Sequence, residues 1–199
     1  LASGTTWHSA GQVGQLRASS AQTKVNKAST EIFASLLEDT GHDPGWLQCG
    51  GLQLASSDER LYQLQRNAAM AEVFGVNATM ISGEECAQYY PMLNTKDLKG
   101  GIYLPGDGRV LPGECTISLA KGAMQRGVKI VENTRCESLI VEEGQLKRIT
   151  GVKTNRGEIK ADWVILAGNM WMRQMGLQAG IDIPVYPCEH HYVITRPIE

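Results

Sequence analysis

The chain holds four histidines, His8, His42, His190 and His191, so chemistry that needs an imidazole falls to one of them. His8 lies inside Ser3-Gly4-Thr5-Thr6-Trp7-His8-Ser9-Ala10-Gly11, a stretch of small residues and hydroxyls. Such a loop offers backbone N–H and side-chain O–H donors that suit a phosphate or a sugar chain. An imidazole within it can act as a base, a metal ligand or a point of covalent attachment. A Ser/Thr-rich turn carrying a surface histidine has the same composition. A second constellation is Cys188-Glu189-His190-His191-Tyr192. On a strand, side chains alternate, so His190 shares a face with Tyr192 and His191 shares one with Glu189. An imidazole and a phenol on one face can handle a proton together. The alternative is a strand with one buried and one exposed histidine. A third feature is the run 151–168, which reads as a hairpin, a buried strand and a small-residue turn, Ala167-Gly168, before a helix. A strand–Gly–helix junction lets backbone approach a ligand, although many ordinary hairpins share the pattern.

The elements that must position these groups are of both kinds. Apolar spacing predicts helices over 20–40, ended by Gly41, and over 58–73, capped by Ser57 and ended by Gly75. Ser82 and Glu85 form a capping box for a short helix that stops before Pro91. Pro112 opens a helix over 112–126, closed by Gly127. Strands are predicted over 46–55, bent at Gly50-Gly51, and over 80–81 and 101–104, followed by the turn Pro105-Gly106-Asp107-Gly108. The last third reads as strands over 128–131, 136–142, 147–154 and 158–166, joined by tight turns. A helix follows from 167 to 177, and an extended run spans 183–198 with Pro184 and Pro187 at its start. No repeat or low-complexity segment interrupts this order.

Composition excludes several classes. The 199 residues carry 19 basic and 21 acidic side chains, and no basic run exceeds two, which leaves no clustered positive face for nucleic acid. The longest apolar stretch, 163–168, is far short of the roughly 20 residues of a membrane helix. Five cysteines, Cys49, Cys86, Cys115, Cys136 and Cys188, are odd in number and widely spaced, which points to free thiols in a reducing compartment and to no zinc site. The chain opens and closes in dense sequence, as expected of a segment of a larger protein.

The stretch Thr5-Thr6-Trp7-His8-Ser9-Ala10-Gly11 resembles the covalent-flavin motif of the sarcosine and dimethylglycine dehydrogenase family, within the D-amino-acid-oxidase superfamily. The likeness continues through Gly45-Trp46-Leu47-Gln48, Gly50-Gly51-Leu52, Tyr90-Pro91-Met92-Leu93, Leu104-Pro105 with Asp107-Gly108, and His190-His191-Tyr192-Val193-Ile194-Thr195, in order. It implies a mixed α/β chain in which part of a Rossmann-like FAD-binding domain is interleaved with part of an antiparallel-sheet substrate domain. The expected segments are 1–45 and 111–180 for FAD, and 46–110 and 181–199 for substrate. The family's GxGxxG unit and its acidic ribose-binding residue occur nowhere in these residues. The resemblance places them before Leu1, and a folate-binding domain after Glu199.

By the same resemblance, His8 carries FAD covalently, with Ser3, Gly4, Thr5, Thr6, Trp7, Ala10 and Gly11 around it. Ala167 and Gly168 approach the FAD with Trp171 nearby. Cys136 stands where the family has an adenine-contacting valine, a change that a backbone contact tolerates; otherwise it is a small core residue. Tyr192 lines the substrate pocket and His190 assists it. The implied reaction is oxidation of the N-methyl group of sarcosine or dimethylglycine. Electron-transfer flavoprotein or oxygen is the implied acceptor, and tetrahydrofolate the implied carbon acceptor on the further domain. The implied compartment is the mitochondrial matrix in a eukaryote and the cytoplasm in a bacterium. A second resemblance, through the stretch after Cys188 and the early Gly11-Gln12-Val13-Gly14, is to the regulatory subunit of pyruvate dehydrogenase phosphatase, a non-catalytic relative without the attachment histidine.

Overall fold

The structure, a computed structural model, describes residues 1–144 and 147–197. It divides into two compact units, Leu1–Ile130 and Val131–Glu199. In the first, the elements run β1 (Gln12–Val13), α1 (Ser20–Thr40), β2 (Gly51–Ala55), α2 (Asp58–Phe74), β3 (Thr79–Ile81), α3 (Cys86–Tyr89), β4 (Gly100–Leu104), β5 (Gly108–Arg109) and α4 (Pro112–Gln125). The second holds β6 (Cys136–Glu142), β7 (Arg148–Thr154), β8 (Gly157–Lys160) and α5 (Met172–Gln178).

Side-chain capping sets where α1 and α2 begin. Ser19 Oγ accepts the Gln22 N–H at 3.3 Å, and Ser57 Oγ accepts the Arg60 N–H at 3.2 Å, each satisfying a first-turn donor. Gly41 and Gly75 end α1 and α2 in the left-handed conformation, at φ 68° in both cases. The capping box before α3 is complete: the Ser82 N–H donates to Glu85 Oε2 at 2.7 Å, and the Glu85 N–H donates to Ser82 Oγ at 3.2 Å. The bond from Ser82 holds the Glu85 carboxyl below its ordinary range.

β2, β4 and β3 form an antiparallel sheet in that order, with Leu52 opposite Tyr103 and Met80 opposite Ile102. One face carries Ala55, Ile102 and Leu104 against Leu64 and Ala71 of α2, with Leu16 and Val76 closing the cluster. A second cluster joins Leu36 of α1, Val110 and Cys115, with Phe33 and Trp46 packed on it. In the second unit β6, β7 and β8 form an antiparallel meander, with Leu139 opposite Val152 and Val152 opposite Ile159. α5 docks on β6 through Gln178, which accepts the Leu139 N–H at 3.1 Å and donates to Glu137 O. All five cysteines are unbridged.

Several strand expectations do not hold. Residues 46–50 are not strand: Gly50 sits at φ 77°, which breaks the extended run, and only Leu47 bridges to Arg109. Residues 128–131 are not strand, because no described residue forms a ladder with them, and Val128 and Val131 are exposed. The fourth strand of the meander stops at Lys160 rather than at 166, and Trp163 and Ile165 are each 89% exposed. Residues 183–197 also lack a ladder, so the alternation that puts His190 and Tyr192 on one face is not imposed by a sheet; Ile198 and Glu199 lie outside the described residues. A strand is stable only when its N–H and C=O groups have a partner, which apolar alternation alone does not supply. The helix expected from 167 starts later, as a single 3₁₀ turn over Asn169–Trp171 that leads into α5.

Leu64 is fully buried between α2 and the sheet. Leu64→Ala is expected to lower the stability of the first unit by about 3 kcal/mol, the usual cost of a lost core side chain plus its cavity. Urea denaturation followed by circular dichroism measures it; a loss below about 1 kcal/mol would mean the cluster collapses around the gap.

Candidate functional site

The residues Ser3 to Ala10 are exposed, and Gly11 is buried. Thr6–His8 form a 3₁₀ turn, closed by the Ser9 N–H donating to Thr6 O at 3.0 Å, and this turn lies against α4. The stem is pinned at Gly11. The Val110 N–H donates to Gly11 O at 2.9 Å, and Gly11 adopts φ 72°. A Cβ at Gly11 would collide with Val110 O, so glycine is required on both counts. At the tip, the Trp7 and His8 ring centroids are 3.7 Å apart with planes tilted by 35°. Gly4 faces open space. The result is an imidazole displayed at the tip of an anchored loop, among hydroxyls and uncrowded backbone. Those donors and that nucleophile fit an FAD, whose phosphates and sugars need N–H and O–H donors and whose ring edge needs close approach.

The stem is held in turn by Asp107, which is 8% exposed. Its Oδ1 accepts the Gln15 N–H at 2.8 Å, and its backbone carbonyl accepts the Gly50 N–H at 2.9 Å. A Cβ on Gly51 would stand 2.7 Å from Asp107 Oδ2, and one on Gly14 would stand 3.1 Å away. The carboxyl is therefore packed between two bare backbones. Burial pushes its pKa up, against the Gln15 hydrogen bond and the Arg17 charge, which pull it down. The sequence marks this residue as part of a turn and of the family resemblance, and its burial has no local signature.

A polar clamp joins the end of α1 to α4. His42 Nε2 lies 2.8 Å from Glu114 Oε2, and Lys121 Nζ lies 2.9 Å from His42 Nδ1. With Lys121 donating, Nδ1 accepts and the Nε2–H donates to Glu114. Ser118 Oγ donates to His42 O at 2.8 Å and sits 3.0 Å from Thr40 Oγ1. Nothing in the sequence reading singled out His42. The spacing of Glu114 and Lys121, one helical face seven residues apart, was the available signal. Among the described residues no group of three or more His, Cys, Asp or Glu side chains gathers as a metal site. Burial pushes the Cys86 and Cys115 thiols up, which makes them poor nucleophiles.

Thus the structure brings together Ser3, Gly4, Thr5, Thr6, Trp7, His8, Ala10 and Gly11. The remaining expected site residues lie in the second unit. Cys136 opens β6 and is exposed, opposite Thr154. Ala167 and Gly168 precede the 3₁₀ turn that ends at Trp171, itself exposed. His190 and Tyr192 are exposed, in the segment without a ladder.

The fold is that of FAD-dependent amino-acid oxidoreductases. L-proline dehydrogenase from P. horikoshii superposes with a TM-score of 0.82 at 31% identity, over 90% of this chain and 46% of that one. Human mitochondrial sarcosine dehydrogenase is 36% identical over 203 residues, covering 100% of this chain and 22% of that protein. The mitochondrial regulatory subunit of mouse pyruvate dehydrogenase phosphatase is 33% identical over 99% of this chain and 22% of its own length. The chain therefore spans about a fifth of the curated relatives it matches. The family model DAO, FAD dependent oxidoreductase, matches residues 1–199, and the chain belongs to that family.

Because the Asp107 pKa is raised in the folded state, its ionisation costs stability. The unfolded carboxyl ionises first, so stability falls as pH rises from the ordinary aspartate range near 4 through the folded pKa, and the cost persists above it. An asparagine at this position keeps an oxygen for the Gln15 N–H and removes the ionisation. Asp107→Asn is expected to be at least as stable as the parent at pH 7, with the difference narrowing toward pH 4. Denaturation midpoints across that range decide it. A variant weaker than the parent at pH 7 would show that the hydrogen bond and Arg17 outweigh burial.

Proposed function

We propose that the protein containing this chain oxidises the N-methyl group of sarcosine or dimethylglycine, with FAD held covalently through His8. The observation that carries the reading is the His8 imidazole, displayed on a loop whose stem is pinned at Gly11. The identity to sarcosine dehydrogenase supports the substrate class. FAD, when bound, supplies the hydride acceptor. Ser3, Gly4, Thr5, Thr6, Trp7, Ala10 and Gly11 line its approach to His8, and backbone at Ala167, Gly168 and Cys136 holds it, with Trp171 beside it. In this reading residues 1–45 and 111–180 serve the cofactor, and 46–110 with 181–199 serve the substrate.

The substrate amine must be neutral before hydride leaves the adjacent methyl, since a protonated amine cannot stabilise the developing iminium. The Tyr192 phenol oxygen accepts the ammonium N–H and positions the amine, and His190 assists it in taking up the proton. Electrons then pass to electron-transfer flavoprotein or oxygen, and the iminium is hydrolysed by water to free amine and formaldehyde or its carbon passes to tetrahydrofolate on a further domain. The compartment is the mitochondrial matrix in a eukaryote and the cytoplasm in a bacterium. The second reading, a non-catalytic regulatory protein, is favoured by the 33% identity to the phosphatase regulatory subunit. His8 separates the two.

Acid precipitation of the full-length protein is expected to leave the flavin with the pellet, and His8→Ala is expected to release it to the supernatant. Flavin that stays bound in the variant would remove His8 from this role. Tyr192→Phe keeps the ring and is expected to slow flavin reduction by sarcosine or dimethylglycine about ten- to a thousandfold, read by stopped flow across pH. An unchanged rate and pH profile would leave Tyr192 as a packing residue.

A further inference from the structure

Consecutive residues on a helical turn point away from each other, by about 120° in a 3₁₀ turn. Trp7 and His8 depart from this: their rings lie against each other, with centroids 3.7 Å apart and planes tilted by 35°. Both side chains must be turned toward each other to achieve it. Yet Trp7 is still 54% exposed, so burial in a core is not what draws it there. The rings sit at the tip of a loop whose stem is immobilised by the left-handed Gly11 and its bond from Val110, and whose 3₁₀ turn rests on α4.

We infer that Trp7 is a positioning residue for His8: its indole is a platform that holds the imidazole in one orientation for bonding to the flavin. The inference rests on the reading that His8 carries the flavin. The bond joins an imidazole nitrogen to the flavin 8α-carbon as a C–H bond there and the imidazole N–H are lost; the two electrons reduce the flavin itself, and dissolved oxygen takes them back. The bonding lone pair of an imidazole nitrogen lies in the plane of the ring. An indole leaning on the ring covers a face, not the edge from which that bond forms. It removes rotations about the His8 side-chain bonds before the flavin arrives, so less freedom is lost on attachment. The pinned stem fixes the platform relative to α4, and the platform fixes the imidazole.

The test uses the full-length protein expressed as apoprotein, loaded with FAD, and followed for acid-stable flavin over time. Histidine labelled with ¹³C at Cε1, assigned by comparison with His8→Ala, reports the ring current of the indole on His8. Trp7→Ala is expected to abolish that ring-current shift and to slow attachment about tenfold or more, as loss of a preorganised orientation does. Trp7→Phe keeps a stacking face and is expected to attach flavin within about threefold of the parent rate. Attachment at the parent rate in Trp7→Ala overturns the inference, as does an equal loss in Trp7→Ala and Trp7→Phe. No acid-stable flavin in the parent overturns the covalent reading itself, which is a different result from a parent that attaches flavin and a Trp7→Ala variant that matches it.

Discussion

Five consecutive residues, 107 to 111, hold the first unit together at the place where three parts of the chain meet. The Asp107 carboxyl takes the Gln15 N–H, and its carbonyl takes the Gly50 N–H. Arg109 exchanges backbone bonds with Leu47 and pairs with Gln12. Val110 donates to Gly11 O, and Leu111 donates to Pro44 O. Buried backbone groups must be paired, and here nearly every pairing crosses to a segment distant in sequence. The glycines at 11, 14, 51 and 108 follow from that closeness, since a Cβ at each would meet backbone or the Asp107 carboxyl. The loop bearing His8 hangs from this strip through Gly11, whose carbonyl accepts the Val110 N–H.

The same strip leads directly into α4, and α4 is tied to the end of α1 by apolar and polar contacts side by side. Leu36 packs near Val110 and Cys115, while Lys121, His42 and Glu114 run as a chain of hydrogen bonds at the margin. The polar part is partly open to water, so its net contribution is modest and its value is in fixing the register of the two helices. The 3₁₀ turn of the His8 loop rests on this helix. A rigid stem with an exposed tip suits the covalent attachment proposed for His8: the tip must be reachable, and its position must not wander.

Much of this was legible locally. Helix ends were readable because caps are short-range devices: Ser57 and the Ser82–Glu85 box bond within three residues, and Gly41 and Gly75 need only their own backbone freedom. The meander of β6, β7 and β8 was readable because tight turns pair neighbours in sequence. The ordered series of motifs pointed to His8 and its loop, and the family match over the whole chain agrees with the family they implied.

The tertiary structure alone decided which apolar runs become strands. Residues 128–131, 163–166 and 183–197 have strand-like composition, but a ladder needs a second chain segment at hydrogen-bonding distance, and periodicity carries no information about that. Conversely, β1 and β5 are two residues each, too short to show a period, and exist because residues 12–13 and 108–109 are brought side by side. Asp107 reads in sequence as a turn residue, and His42 as one of four histidines. The burial of the first and the Lys121–His42–Glu114 chain of the second arise from contacts across tens of residues. Sequence determined the local conformations and the chemistry at hand, because those depend on neighbours within a few residues. Placement of the His8 loop and burial of the Asp107 carboxyl depend on long-range packing, which only the folded chain specifies.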